Sequence, residues 1–169
     1  MVQSLLLLPG VNSTGEGASG YNVRGGRADQ NLILWQGAQM FNPSHILGFY
    51  SAFNPDLVSG FSLYKGHIPA QYGGRSSSVL EVIPKKGNFD VYDFSAGIGP
   101  ISGRLSMTGP IIKDKLAVLV GIRGAYTDWL LQRIRRYPDV KNSAARYFEG
   151  NVIFNYKINA NQSLDVSFT

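Results

Sequence analysis

From Phe94 onward, apolar and polar residues alternate one by one over long stretches, and that rhythm leaves few folds open. Phe94, Ala96 and Ile98 share one side, and Leu105 and Met107 stand against Arg104, Ser106 and Thr108. Val118, Val120, Ile122 and Tyr126 oppose Leu119, Gly121, Arg123 and Thr127. Val152, Phe154, Tyr156 and Ile158 alternate with Asn151, Asn155 and Lys157, and then Leu164, Val166 and Phe168 with Asp165, Ser167 and Thr169. A period of two with one apolar face is the pattern of a β-strand. Several runs reach about 9–11 residues, the length at which a tilted strand crosses a bilayer, whereas strands of soluble sheets are nearer ~5–6. The connections 109–115 and 159–162 are short and 128–146 is long, as in outer-membrane barrels, although 99–102 is short where a long loop is allowed. Periodicity alone leaves a second option open, an ordinary antiparallel sheet with one solvated face. Polar faces of Gly, Ser, Asn, Arg and Lys suit a lumen or bulk water equally.

The chain before residue 88 has a different texture. Residues 1–10 read as the tail of a helix stopped by Pro9-Gly10, and 11–30 as turn and loop rich in Gly, Ser and Asn. Residues 31–35 form a short buried strand closed by a turn at Gln36-Gly37. Two Asn-Pro pairs, Asn42-Pro43 and Asn54-Pro55, initiate turns in a loop-rich segment. Further strands are expected over 57–65 and 79–84. The expectation is therefore a mixed α+β unit over 1–87, then about five antiparallel strands over 88–169. Composition agrees: 20 Gly, 9 Tyr, 9 Phe and 2 Trp with only 16% charged residues fit a β-rich chain with tight turns.

Several function classes fall away. There is no cysteine, hence no disulfide framework, thiolate metal site or Cys nucleophile. The longest apolar run, 5–8, is far too short for a membrane-spanning helix and lacks the flanks of a secretory signal. The GxGxxG string at 15–20 follows Pro9-Gly10 rather than a strand and reads as a turn, not a dinucleotide site. His45 and His67 stand far apart with no second ligand at metal spacing, so no metal or other cofactor is expected. No Ser-His-acid arrangement or carboxylate pair points to an enzyme. A single Arg24-Gly25-Gly26 and a net charge of +5 do not make a nucleic-acid surface. Residues 129–136 have an amphipathic look, which suits either a turn of helix in an outer loop or a contact with the membrane surface.

Four strings carry a resemblance. LLPGV at 7–11, YNVRGGRADQNLIL at 21–34, FNPSHILGFYSAFNPD at 41–56 and LYKGHIPAQYGGRSSSVLEV at 63–82 are similar, in order and spacing, to the plug domain of TonB-dependent outer-membrane receptors. They are most like the versions found in Bacteroidota. The string SGRLSMTGPIIKDKLAVLVGIR at 102–123 resembles that family's second and third barrel strands. Where the family commonly has an acidic residue before the turn glycine, Gln36 stands here. No TonB box, the segment gripped by the energy-coupling protein, is visible.

The resemblance implies an α+β plug domain, N-terminally truncated, followed by antiparallel β-strands of an incomplete transmembrane β-barrel. Five strands cannot close, since bacterial barrels have at least eight. It further implies location in the bacterial outer membrane and import of a nutrient ligand gated by the plug. The implied partners are TonB, the imported ligand, outer-membrane lipid and a surface lipoprotein. Candidate ligand contacts at the plug apex are Arg24, Gln39, Phe41, Asn42 and Tyr72, with Arg24 and Arg75 making polar contacts between plug and barrel. Arg75 follows Gly73-Gly74 and can fork onto a carboxylate as Lys cannot. The alternative is a small soluble or peripheral plug-like protein that binds or blocks a partner's pore.

Overall fold

The computed structural model describes residues 2–14, 20–41, 43–45, 50–127, 133 and 146–169. The chain divides into two compact units, Met1–Pro84 and Lys85–Thr169.

The first unit begins with one helical turn, α1 (Val2–Leu5), which ends before Pro9-Gly10. Residues 11–30 are not all loop. They hold two three-residue strands, β1 (Val11–Ser13) and β2 (Tyr21–Val23), paired antiparallel. Val11, Tyr21 and Val23 are buried, so tertiary burial makes strands where local propensity favours turns. A 3₁₀ turn, Ala28–Gln30, leads into β3 (Asn31–Trp35). Then come β4 (Ala38–Gln39), β5 (Ser44–His45), β6 (Tyr50–Ser51), a 3₁₀ turn over Pro55–Leu57, β7 (Val58–Tyr64) and β8 (Ser78–Pro84). At the second Asn-Pro pair, the Asn54 side chain accepts from Asp56 N at 3.1 Å and starts that turn.

The main sheet of this unit runs β4-β3-β8-β7, with β3 and β8 parallel and the other pairs antiparallel. Leu32, Leu34 and Val79 form a core on one face, with Tyr64, Ile68 and Tyr72 packed against it. Trp35 stacks on Phe53 with ring centroids 5.7 Å apart. Ser78 Oγ donates to Asn31 Oδ1 at 2.7 Å, and Asn31 Nδ2 donates to the Tyr21 carbonyl at 2.6 Å, tying β2, β3 and β8 together.

Two stability predictions arise here. Trp35 and Ala38 pair across a two-residue turn in which both Gln36 (φ 50°) and Gly37 (φ 78°) are left-handed. Asn is the favoured residue ahead of Gly in such a turn, and Gln carries the usual left-handed penalty. Gln36→Asn is expected to stabilise the first unit by about 0.5–1 kcal/mol, read as a higher urea midpoint. An unchanged or lower midpoint would count against the turn assignment.

The second concerns Tyr21, whose phenol is pushed from 10.0 to about 12 by burial; Ser78, its proton already given to Asn31, offsets this only partly. The folded-state value exceeds the unfolded one. Its contribution is therefore whole below pH 10 and is lost as the pH climbs through about 12, a change of about 2–3 kcal/mol. Urea midpoints measured across that window should fall less in Tyr21→Phe than in the wild type. Equal slopes would refute the assignment.

The second unit is a five-stranded antiparallel meander: β9 (Asp93–Ile98), β10 (Ser102–Ile112), β11 (Leu116–Tyr126), β12 (Arg146–Asn159) and β13 (Gln162–Phe168), each paired with its sequence neighbours. The connection 128–145 lies outside the described residues apart from Arg133. Register sorts most of the side chains in the strand centres, with Leu119 opposite Ile153 an apolar pair on the otherwise polar face. Phe94, Met107, Val120, Val152 and Phe168 occupy one row; Ala96, Leu105 and Ile122 occupy the next. On the opposite face Arg123 lies across from Glu149, Gly121 from Asn151 and Asn155 from Asp165.

The unusual feature is which face meets the outside. Phe94 (66%), Ile98 (92%) and Phe148 (76%) are exposed, whereas Ser106, Arg123, Asn151 and Asn155 of the polar face are buried. A soluble antiparallel sheet does the reverse. Apolar side chains outward and polar ones inward is the arrangement of a sheet solvated by lipid. Among the described residues no helix is long and apolar enough to cross a membrane.

Candidate functional site

In the first unit the main sheet sets a rung of three strands. Leu34 pairs with Gln39 on one side and with Glu81 on the other, so Gln39, Leu34 and Glu81 point to the same face. Over that face lies the connection between β7 and β8. Its Tyr72 hydroxyl donates to Glu81 Oε2 at 3.0 Å, and its ring tilts against Tyr64 at 5.5 Å. The connection is held at several points. Tyr72 N donates to the Pro69 carbonyl at 3.0 Å and Ser77 N to the Gln30 carbonyl at 3.1 Å. Lys65 Nζ donates to the Pro9 carbonyl at 2.8 Å and Ser77 Oγ to the Val23 carbonyl at 3.0 Å.

Arg24 ends β2 in a left-handed conformation (φ 49°), its N–H donating to the Gly10 carbonyl at 2.9 Å. A Cβ placed on Gly66 would lie 2.8 Å from Arg24 Nη1, so the guanidinium rests against the start of the connection that carries Tyr72. A side chain at 66 would have to push the end of the Arg24 side chain aside.

Of the sequence-derived candidates, the structure thus joins Arg24 and Tyr72 through one connection, and Gln39 and Tyr72 through the rung at Glu81. Phe41, just beyond β4, is 83% exposed. Asn42 lies outside the described residues. Arg75 is exposed and has no carboxylate within ion-pair distance among the described residues. Together these groups offer a cation, an amide, a phenol and a free aromatic ring to a solute. They hold no nucleophile paired with a base.

Sequence reasoning missed two groups. Glu81, the acceptor for Tyr72, is a lone carboxylate in an apolar strand, and that isolation was its signal. Arg123 and Glu149 form a buried cross-strand pair in the second unit, with Nε 2.7 Å from Oε1 and Nη2 donating to Oε2 at 2.9 Å. Arg123 also lies over the Tyr147 ring at 5.7 Å.

The chain is thus a small α+β unit followed in sequence by an antiparallel sheet whose apolar face is the exposed one. Residues 1–79 match the family model described as TonB-dependent Receptor Plug Domain. The siderophore receptor PirA from Pseudomonas aeruginosa has a similar fold, with a TM-score of 0.67 and 16% identity over 98% of this chain and 30% of that one. A mutant of the ferric enterobactin receptor PfeA from the same organism, solved in complex with enterobactin, gives 0.59 and 18% over 98% and 29%. The chain thus spans less than a third of either receptor. No curated protein sequence matches it. Residues 1–79 belong to the TonB-dependent receptor plug domain family, and the antiparallel strands that follow share the fold of such receptors.

Proposed function

We propose that this chain is the gating plug and first strands of an outer-membrane active transporter that imports a nutrient ligand, energised through TonB. The observation that carries this reading is a plug domain continuing into a sheet whose apolar face is the exposed one. That face fits outer-membrane lipid. It also speaks against the pore-blocking alternative, since a soluble protein rarely leaves so large an apolar surface bare.

In this reading Arg24, Gln39, Phe41, Asn42 and Tyr72 meet the ligand. Arg24 and Arg75 hold the plug to the lumen wall through hydrogen bonds of about 1 kcal/mol each, weak enough to be exchanged when the gate opens. A surface lipoprotein is a further partner in this reading.

The two structurally similar proteins are a siderophore receptor and a ferric enterobactin receptor, so ferric siderophores head the compounds to test, followed by cobalamin, glycans and peptides. One of these should quench the protein's fluorescence on binding, and Phe41→Ala should weaken that binding about tenfold, as truncating an aromatic anchor does. In cells, uptake of the same compound should stop when a protonophore collapses the inner-membrane gradient. Binding unaltered by Phe41→Ala, Arg24→Ala and Tyr72→Phe would remove the site. Uptake indifferent to the protonophore would remove active transport.

A further inference from the structure

The segment joining the two units changes character within a few residues. Pro84 closes β8, its carbonyl accepting from Ser59 Oγ at 3.1 Å. Lys85 and Lys86 are exposed, and neither has a hydrogen bond or ion pair among the described residues. From Gly87 on, the backbone is fastened to the second unit's own strands. Gly87 N donates to Asn155 Oδ1 of β12 at 2.6 Å, and Asn88 N donates to Thr108 Oγ1 of β10 at 2.8 Å. The Phe89 carbonyl accepts from Asp114 N at 3.2 Å, and Lys157 Nζ lies 3.9 Å over the Phe89 ring. Asn88 Oδ1 turns the chain by accepting from Asp90 N at 2.9 Å and Val91 N at 3.3 Å. Tyr92 then seats its ring over Gly109 and donates to the Pro110 carbonyl at 2.7 Å.

Residue types explain the fit. Gly87 is buried, and a Cβ there would lie 2.8 Å from Ala117 Cβ of β11 and 3.3 Å from Asn155 Oδ1. Only glycine over alanine lets the strand-crossing backbone come so close. Asn155 is 3% exposed and spends its other end on Asp165 Oδ1, at 2.7 Å from Nδ2. Its amide is therefore fixed before it receives Gly87. The contacts reach three strands, β10, β11 and β12.

We propose that residues 87–92 are a clamp that stays with the strands when the first unit moves or unfolds, leaving Lys85-Lys86 as the hinge between the units. The clamp stands on this geometry alone. Its consequence for transport, that a pull on the plug is resisted at Gly87 and goes no further along the chain, rests on the function proposed above.

Native-state hydrogen exchange on the full chain in detergent micelles, under increasing urea, tests the clamp whatever the protein transports. Amides of Gly87 and Asn88 should keep the protection of Leu119 and Ile153 rather than that of Leu34 and Leu80, whichever set is lost first. Lys85 and Lys86 amides should exchange fast throughout. Gly87→Ala should lower protection at 87 and 88 about tenfold, the worth of a net hydrogen bond, and adding Ala117→Gly should restore it. Thr108→Val should loosen Asn88 alone. If Gly87 and Asn88 follow Leu34 and Leu80, if all these amides exchange as a single unit, or if Gly87→Ala leaves protection unchanged, the clamp is overturned.

Discussion

Arg123→Ala is expected to destabilise the strand unit by about 3–5 kcal/mol. The guanidinium and the Glu149 carboxylate sit directly opposite one another on β11 and β12, with side-chain exposures of 9% and 11%. Two contacts at 2.7 and 2.9 Å make the pair a fork rather than a point contact. Removing the arginine strands a carboxylate where water is largely excluded, and that desolvation is the source of the loss. Replacing both partners tells a different story. Arg123→Met with Glu149→Leu leaves no charge behind and should return stability to within about 1 kcal/mol of wild type. Urea titrations of the wild type, Arg123→Met, Glu149→Leu and the double variant in detergent micelles, followed by far-ultraviolet circular dichroism, complete the cycle. A single substitution costing under about 1 kcal/mol would mean that water reaches the pair and the polar face is not enclosed.

The second large effect depends on the solvent. Ile122 lies near the middle of β11 on the apolar face and is exposed. At an exposed position in water, Ile122→Lys costs within about 0.5 kcal/mol. Facing the middle of a bilayer, the same lysine costs about 2–4 kcal/mol. Urea titration of the protein folded in phospholipid vesicles should therefore show the larger penalty, while Ser163→Lys, on the opposite face of β13, should show little. Equal, small penalties for both would favour a sheet that meets water on each side.

How much of this was readable from the residues varies along the chain. Strands β9 to β13 were legible because each is long enough for the two-residue period to repeat several times, and both faces are chemically distinct. Their lengths, 11, 11 and 14 residues for β10, β11 and β12, match or exceed those the alternation predicted. What alternation could not decide was which face is exposed, because it is symmetric between a lumen and bulk water. In the first unit, β3, β7 and β8 were visible as apolar runs. Strands β1 and β2 were not, since three residues cannot show a period and their sequence favours turns. They exist because Asn31 reaches the Tyr21 carbonyl and Ser77 reaches the Val23 carbonyl, contacts 10 and 54 residues apart in the chain.

The candidate site divides the same way. Arg24 and Tyr72 were found on motif positions, and the structure gives each a physical setting: Gly66 beneath one, Glu81 beyond the other. Glu81 is marked locally only as a lone carboxylate in an apolar strand, and its partners are not; the parallel register of β3 and β8 brings it to Gln39's rung. Arg123 and Glu149, 26 residues apart, became partners only through the β11–β12 register. Nothing local sets Lys85 and Lys86 apart; the hinge proposed there follows from the contacts of residues 87–92.

The most direct test of the membrane-barrel reading uses the absence of cysteine from the chain. Single cysteines placed in turn at residues 117–125 of β11, each carrying a nitroxide label, can be assayed in phospholipid bilayers for collision with oxygen, which concentrates in lipid, and with a water-soluble nickel complex. The expected result is a period of two, with Val120 and Ile122 favouring oxygen and Leu119 and Gly121 showing no lipid contact. Accessibility without alternation, or nickel preferred at Val120 and Ile122, would contradict it.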